Sequence, residues 1–377
     1  MSRPVAAVQA PLGSGLAASR AVWSHRALHP WAWWCWALCA GVAVSLTRNP
    51  LAIVLVVLAV VVVLELRRSD APWAVSVGLY FALAGFIIGI RVVFQVLVGS
   101  MRTGVVLFTL PSVPLPSWLR GISLGGPVTL DALAFALYDA MRIAALIICV
   151  GVANGLANPK RALRSVPAAL AEVSTAVVIA LSMAPQLIES VLRVRRARRL
   201  RGGRSRGWHA VVGVVVPVLE DAIERSIGLA AGMESRGYGS THAHLRAPRL
   251  VSAAMVAALA LLALGVFLLL GSPRDVFGWI GVGAVLAGVA CVVAAMRLAG
   301  RSASVTRYRP DPWGTPEWVV VGAGLVGLGL TIWLAITQRA VMSPSTTPVS
   351  WPQLPLGMLL VAGVLVVPLA VTRVGEP

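Results

Sequence analysis

Few residues of this chain belong to types that do chemistry, and most of those are spaced against it. Asp139 and Arg142 lie three apart, on one helical face, inside an apolar run from about Leu130 to Ala153. Charges at such depth cost a few kcal/mol each, on the order of 2.5–3.5, unless they pair or face a bundle interior. With Arg91, in the preceding apolar run, they form either an internal ion pair or a substrate or proton site. Cys35, Cys39, Cys149 and Cys291 all fall in apolar stretches and read as small core- or lipid-facing residues rather than disulfides. Cys35 and Cys39 are one helical turn apart, but no histidine accompanies them. His242 and His244 form a lone His-x-His in a polar loop, read as a solvated pair, so no metal site is expected.

The only lysine, Lys160, follows a proline, which excludes a Gly-Lys-Ser/Thr phosphate-binding loop. The zinc-protease helix motif, the Gly-x-Ser-x-Gly elbow and paired CxxC motifs are missing too. The chain is therefore expected to be no enzyme on its own and to bind no cofactor directly.

What stands out is a repeated ending. Leu187 to Leu200 leads into Arg201-Gly202, and Leu219 to Met233 leads through Glu234-Ser235 into Arg236-Gly237. Each reads as an amphipathic helix stopped by glycine. Leu187, Ile188, Val191 and Val194 share one face of the first; Leu219, Ile223, Ile227 and Ala230 share one of the second, opposite Glu220, Asp221 and Glu224. Helix-end chemistry alone accounts for either ending, since arginine suits the negative end of the dipole and glycine takes the left-handed conformation beyond it. Two such ends in one basic region also suit docking, because a guanidinium bonds carboxylates in a bidentate fashion and stays charged.

The elements that must position these residues belong to a membrane. Mean hydropathy is +0.85, with 58% apolar and 12% charged residues, against ~25% charged in soluble domains. The fold class is an all-α polytopic membrane protein. Its net charge of +18 then describes which loops face the cytoplasm rather than a nucleic-acid site.

Residues 1–30 read as a flexible basic tail and 31–156 as N-terminal transmembrane helices. The first of these opens on Trp31, Trp33, Trp34 and Trp36, aromatics suited to the bilayer interface. The segment Gly104 to Leu110 is too short to span and reads as an external or re-entrant loop. Residues 157–249 hold 15 basic against six acidic residues between Lys160 and Arg249, so they read as cytoplasmic. Their apolar stretches, interrupted by Pro185 and Pro217, read as surface-lying or partly embedded helices, with two further spans as the alternative count. Residues 250–377 supply the C-terminal transmembrane helices. About eight spans, with both ends cytoplasmic in the plasma membrane, place Arg301, Arg307, Arg309 and Arg373 inside.

The stretch Arg225-Ser226-Ile227-Gly228-Leu229-Ala230-Ala231-Gly232-Met233-Glu234-Ser235-Arg236-Gly237-Tyr238 resembles the second coupling motif of the transmembrane T component of energy-coupling factor (ECF) transporters, the EcfT/CbiQ-type family. Ala197-Arg198-Arg199-Leu200-Arg201-Gly202, preceded by Pro185-Gln186-Leu187-Ile188-Glu189, is similar to the first. Family members carry Ala-Arg-Gly or Ala-Arg-Ser at the tips of two crossed cytoplasmic helices; here Leu200 and Ser235 replace alanine and the arginines are kept. The resemblance covers about Ile122 to Tyr238, and three spans beyond Leu270 exceed the family's usual core, as an accessory bundle would. It implies that Ala197, Arg201, Gly202, Glu234, Ser235, Arg236 and Gly237 serve ATPase coupling. The implied partners are two ABC-type ATPases, which hold the ATP, and a small substrate-binding membrane protein, the S component. Vitamins and transition-metal ions are the family's usual cargo. The alternative reading is a self-contained secondary transporter using Asp139 and Arg142, and a further one is a scaffold whose Arg193–Arg206 run binds anionic lipid.

Overall fold

The computed structural model describes residues 28–67, 77–98, 104–113, 124–166, 168–202, 208–238, 248–271, 276–300 and 311–371. Residues 1–27 of the basic tail, His242 and His244, Arg301, Arg307, Arg309 and Arg373 lie outside the described residues. In chain order the elements are α1 (Pro30–Ser45), α2 (Pro50–Arg67), α3 (Val77–Val98), β1 (Val106–Val113), β2 (Leu124–Thr129), α4 (Leu130–Leu156), α5 (Pro159–Arg164), α6 (Ala171–Leu200), α7 (Trp208–Glu234), α8 (Pro248–Gly271), α9 (Val276–Gly300), α10 (Thr315–Thr337), α11 (Arg339–Met342), α12 (Leu356–Val366) and α13 (Pro368–Val371). The chain divides into two units, Met1–Ala162 with Asp311–Pro377, and Leu163–Pro310.

In the first unit, α10 and α12 pack on α1 and α2 around a core that includes Trp36, Val44, Val56, Val60, Leu64, Val320, Leu334 and Leu365. The last two spans thus share one core with the N-terminal helices. Polar contacts fix which helix ends lie together. The His29 N–H donates to Glu317 Oε1 at 3.3 Å, joining the start of α1 to the start of α10. At the opposite face, buried Asn49 donates to the carbonyls of Val341 at 2.8 Å and Gln353 at 2.6 Å. Arg67, ending α2, donates to the Leu369 carbonyl. The Val349 N–H reaches Asp131 at the start of α4 at 3.4 Å, and Arg161 beyond its end pairs with Asp311 at 3.1 Å.

These contacts order the crossings. α1, α3 and α10 run from one face to the other, and α2, α4 and α12–α13 run back. The run Gly104 to Leu110, expected as a loop, is instead part of an antiparallel hairpin in which Val106 faces Thr129 and Leu110 faces Gly126. It joins α3 to α4 at the far face, where strand pairing satisfies backbone groups that lipid would not.

Seven described helices are long and apolar enough to cross a membrane: α2, α3, α4, α6, α8, α9 and α10. Because Arg161 and Asp311 meet at one face, the segment between must cross an even number of times. α8 and α9 both qualify, while α7 carries Glu220, Asp221, Glu224 and Arg225 and does not. The apolar segments α1 and α12–α13 are shorter.

The second unit holds α6 to α9. α8 and α9 approach through glycine: a Cβ on Gly265 would lie 2.8 Å from the Gly281 carbonyl, and one on Gly281 would lie 3.0 Å from the Gly265 carbonyl. Both α6 and α7 run unbroken through Pro185 and Pro217, whereas the sequence had suggested interruption there. Each proline removes one backbone donor from the interior, and the long helices on either side keep their remaining bonds.

Candidate functional site

The two Arg-Gly endings fold alike. At the end of α6, the Arg201 N–H donates to the Ala197 carbonyl and the Gly202 N–H to the Arg199 carbonyl, both at 3.2 Å. Gly202 takes φ +67°. At the end of α7, the Gly237 N–H donates to the Glu234 carbonyl at 2.8 Å and the Tyr238 N–H to the Met233 carbonyl at 3.0 Å, with Gly237 at φ +77°. That pair of bonds is the Schellman closure. Arg201 and Arg236 therefore hold the same station, the residue before a left-handed glycine. The Ser235 hydroxyl donates to the Gly232 carbonyl at 3.0 Å, adding a bond to the second tip.

Ala197, Arg201, Gly202, Glu234, Ser235, Arg236 and Gly237 are all exposed, and Leu200 is 90% exposed. Among the described residues neither Arg201 nor Arg236 forms an ion pair. A guanidinium at the end of a dipole, with its donors in solvent, is disposed to take an external carboxylate.

A polar clasp that sequence reasoning missed ties α6 to α7. Ser190, 2% exposed, donates to Asp221 Oδ2 at 2.6 Å. Arg225 donates from Nε to Asp221 Oδ1 at 3.0 Å and from Nη1 to Gln186 Oε1 at 3.2 Å. The Ser190 hydroxyl first, and the Arg225 bond second, hold the Asp221 carboxyl below its ordinary range. The signal was present as two i,i+4 polar pairs, Gln186 with Ser190 and Asp221 with Arg225, each on one helical face.

The clasp also sets direction. Gln186 meets Arg225, Ser190 meets Asp221, and the Arg198 guanidinium lies over Gly213. Residue numbers rise on one helix as they fall on the other, so the contact is antiparallel. Arg201 lies just beyond the Gly213 end of this contact. Arg236 lies past its other end, about 35 Å along α7 from Gly213 at 1.5 Å per residue. The tips point to separate places.

The remaining sequence-marked charges belong to the first unit. Asp139 Oδ2 accepts from Arg91 at 3.0 Å and Oδ1 from Arg142 at 3.3 Å, so the structure brings all three together. Among the described residues no group of three or more His, Cys, Asp and Glu side chains is placed to hold a metal ion.

Comparison with known families returns one described as CbiQ, cobalt transport protein, whose model matches residues 22–245. That is more than half of the 377 residues and takes in both Arg-Gly tips. No curated protein matches the chain significantly.

Proposed function

Since the chain belongs to the CbiQ cobalt transport protein family and is a multi-pass membrane component of a transport system, we propose that it is the T component of an ECF-type ABC importer. In this reading it transmits ATP-driven motion from two ATPases to a substrate-binding S component, for uptake of a vitamin or a transition-metal ion. The observation that carries the reading is the pair of equivalent, exposed arginine tips at opposite ends of one clasped helix pair. One motor subunit could not engage both across about 35 Å without spanning the pair, so two subunits are the natural complement. Arg201 and Arg236 each enter a groove on one ATPase, and closure of the motor on ATP draws the tips together.

The positive-inside rule orients the first unit, with Arg67, Lys160 and Arg161 at its cytoplasmic face. ATP stays on the partners, and cargo selectivity resides in the S component. An ion-driven transporter working through Asp139 is less well supported, because both carboxylate oxygens are already held by arginine.

The test is an affinity pull-down of the tagged chain from its native membrane, repeated with Arg201→Glu and Arg236→Glu. Two ATPases should co-purify with the unaltered chain and vanish with the double variant, while Arg204→Glu has little effect. Transport by the purified chain alone in proteoliposomes, driven by an ion gradient and with no ATPase recovered, would overturn the assignment.

A further inference from the structure

A groove between α1 and α4 has no part in ATPase coupling. α1 packs against both α4 and α10, each long enough to cross a membrane. Along α1 the groove runs from Trp34 to Ser45, about 16 Å at 1.5 Å per residue. Leu146, Cys149, Val150 and Ala153 of α4 form its other wall, and its volume is about 150 Å³. Gly41 lies at its floor, where an added Cβ would come within 3.4 Å of Leu146 Cδ2. The Ser45 hydroxyl already donates to the Val42 carbonyl at 2.7 Å, so the walls offer little to a polar guest. Apolar space of this size stays dry and takes an apolar one.

A cation stands beyond one end of it. Arg48 is exposed, and its backbone is fixed by an N–H that donates to the Met342 carbonyl at 2.9 Å. Its guanidinium lies 5.8 Å from the centroid of the Phe135 ring, within cation–π range. Phe135 precedes Leu146, Cys149 and Ala153 by 11, 14 and 18 residues, which puts all four on one face of α4. Arg48 therefore reaches over the same α4 wall that lines the groove. Among the described residues it forms no ion pair. From Phe135 to Ala153 is about 27 Å along α4, while one leaflet with its headgroups is about 20–22 Å deep. A lipid headed at Arg48 thus ends its chain inside the groove.

Size and charge together select the occupant. A transmembrane helix is about 10–12 Å across with its side chains, too broad for a groove of this volume. No described part of the chain covers it, since Leu38, Val42 and Val150 remain 54%, 47% and 39% exposed. A free anion would meet Arg48 and leave the apolar walls bare. A guanidinium binds phosphate through paired hydrogen bonds, and a single unpaired cation is matched by a headgroup of net negative charge. We propose that this site binds one anionic phospholipid, its phosphate on Arg48 and an acyl chain between α1 and α4.

The test titrates the full-length chain, purified in detergent and stripped of lipid, with phosphatidylglycerol, and counts adducts by native mass spectrometry. The expected result is one lipid bound ahead of the rest, with phosphatidylcholine weaker. Arg48→Gln should raise the half-saturating concentration at least ten-fold, and Arg48→Lys, which keeps the charge, by less. Ser45→Phe fills the mouth of the groove and should also raise it at least ten-fold. Arg48 and Ser45 are both exposed, so neither change unfolds the bundle. Arg339→Gln, at an exposed arginine on α11, is the control and should change nothing. Adducts indifferent to Arg48→Gln or to Ser45→Phe, an equal loss with Arg339→Gln, or displacement of the lipid by excess inorganic phosphate would each overturn the proposal. No ATPase enters the assay, so its outcome is independent of the contacts at Arg201 and Arg236.

Discussion

Gly202→Ala isolates the backbone's part in presenting Arg201. Gly202 holds φ +67°, and an added Cβ would meet no atom within 4 Å, so the substitution changes conformational preference and nothing else. The left-handed region costs an L-residue about 1–2 kcal/mol relative to glycine, which is about a 5- to 30-fold loss of the folded tip. On the proposed function, in which Arg201 meets an ATPase in that geometry, the dissociation constant between the purified chain and that ATPase should rise by up to that factor. Gly202→Asn should fall between, since asparagine tolerates the left-handed conformation. Gly232 is the control: it is helical, and an added Cβ there also meets nothing within 4 Å. Gly232→Ala should be neutral or stabilise α7 by about 0.5–1 kcal/mol. Binding equally tight for glycine and alanine at position 202, or weaker for asparagine than for alanine, would refute the claim that the cap presents the arginine.

Two further predictions concern what holds the tips and the bundle. Asp221 is held below its ordinary range by Ser190 and Arg225, so its contribution is complete above the unfolded carboxylate value of about 3.9 and is lost as pH falls through the lower folded value. Amide protection across α6 and α7, taken relative to the intrinsic exchange rate at each pH, should therefore be flat from pH 5 to 8 and fall below about pH 4, whereas Asp221→Asn should be less protected throughout and show no such step. Asn49→Ala removes the buried amide that donates to the carbonyls of partly buried Val341 and exposed Gln353, which should destabilise the first unit by about 1–3 kcal/mol. Thermal unfolding in detergent measures it, and an unchanged midpoint would mean that this clamp contributes nothing.

Much of the molecule was legible because membranes enforce simple rules. Apolar runs such as Leu51 to Leu64 and Val251 to Leu270 had to be helices, since no other single segment satisfies its own backbone in lipid. Glycine after arginine marked both helix ends, because few other residues occupy φ near +70° without strain. Proline misled: Pro185 and Pro217 suggested breaks, yet α6 and α7 pass through them. The hairpin of β1 with β2 was missed because its pairing joins segments separated by residues with no strand signal of their own.

By itself the sequence determined the class, the basic face, the absence of a nucleotide-binding loop and the two arginine stations, all properties of local composition and spacing. Only tertiary structure decided which spans share a core, and that Ser190 and Asp221 clasp two helices so that Arg201 and Arg236 point apart. Those facts depend on pairs such as Asn49 with Gln353 and Arg161 with Asp311. No local pattern encodes a pairing across hundreds of residues, because either partner alone is satisfied equally well by water or by a different neighbour.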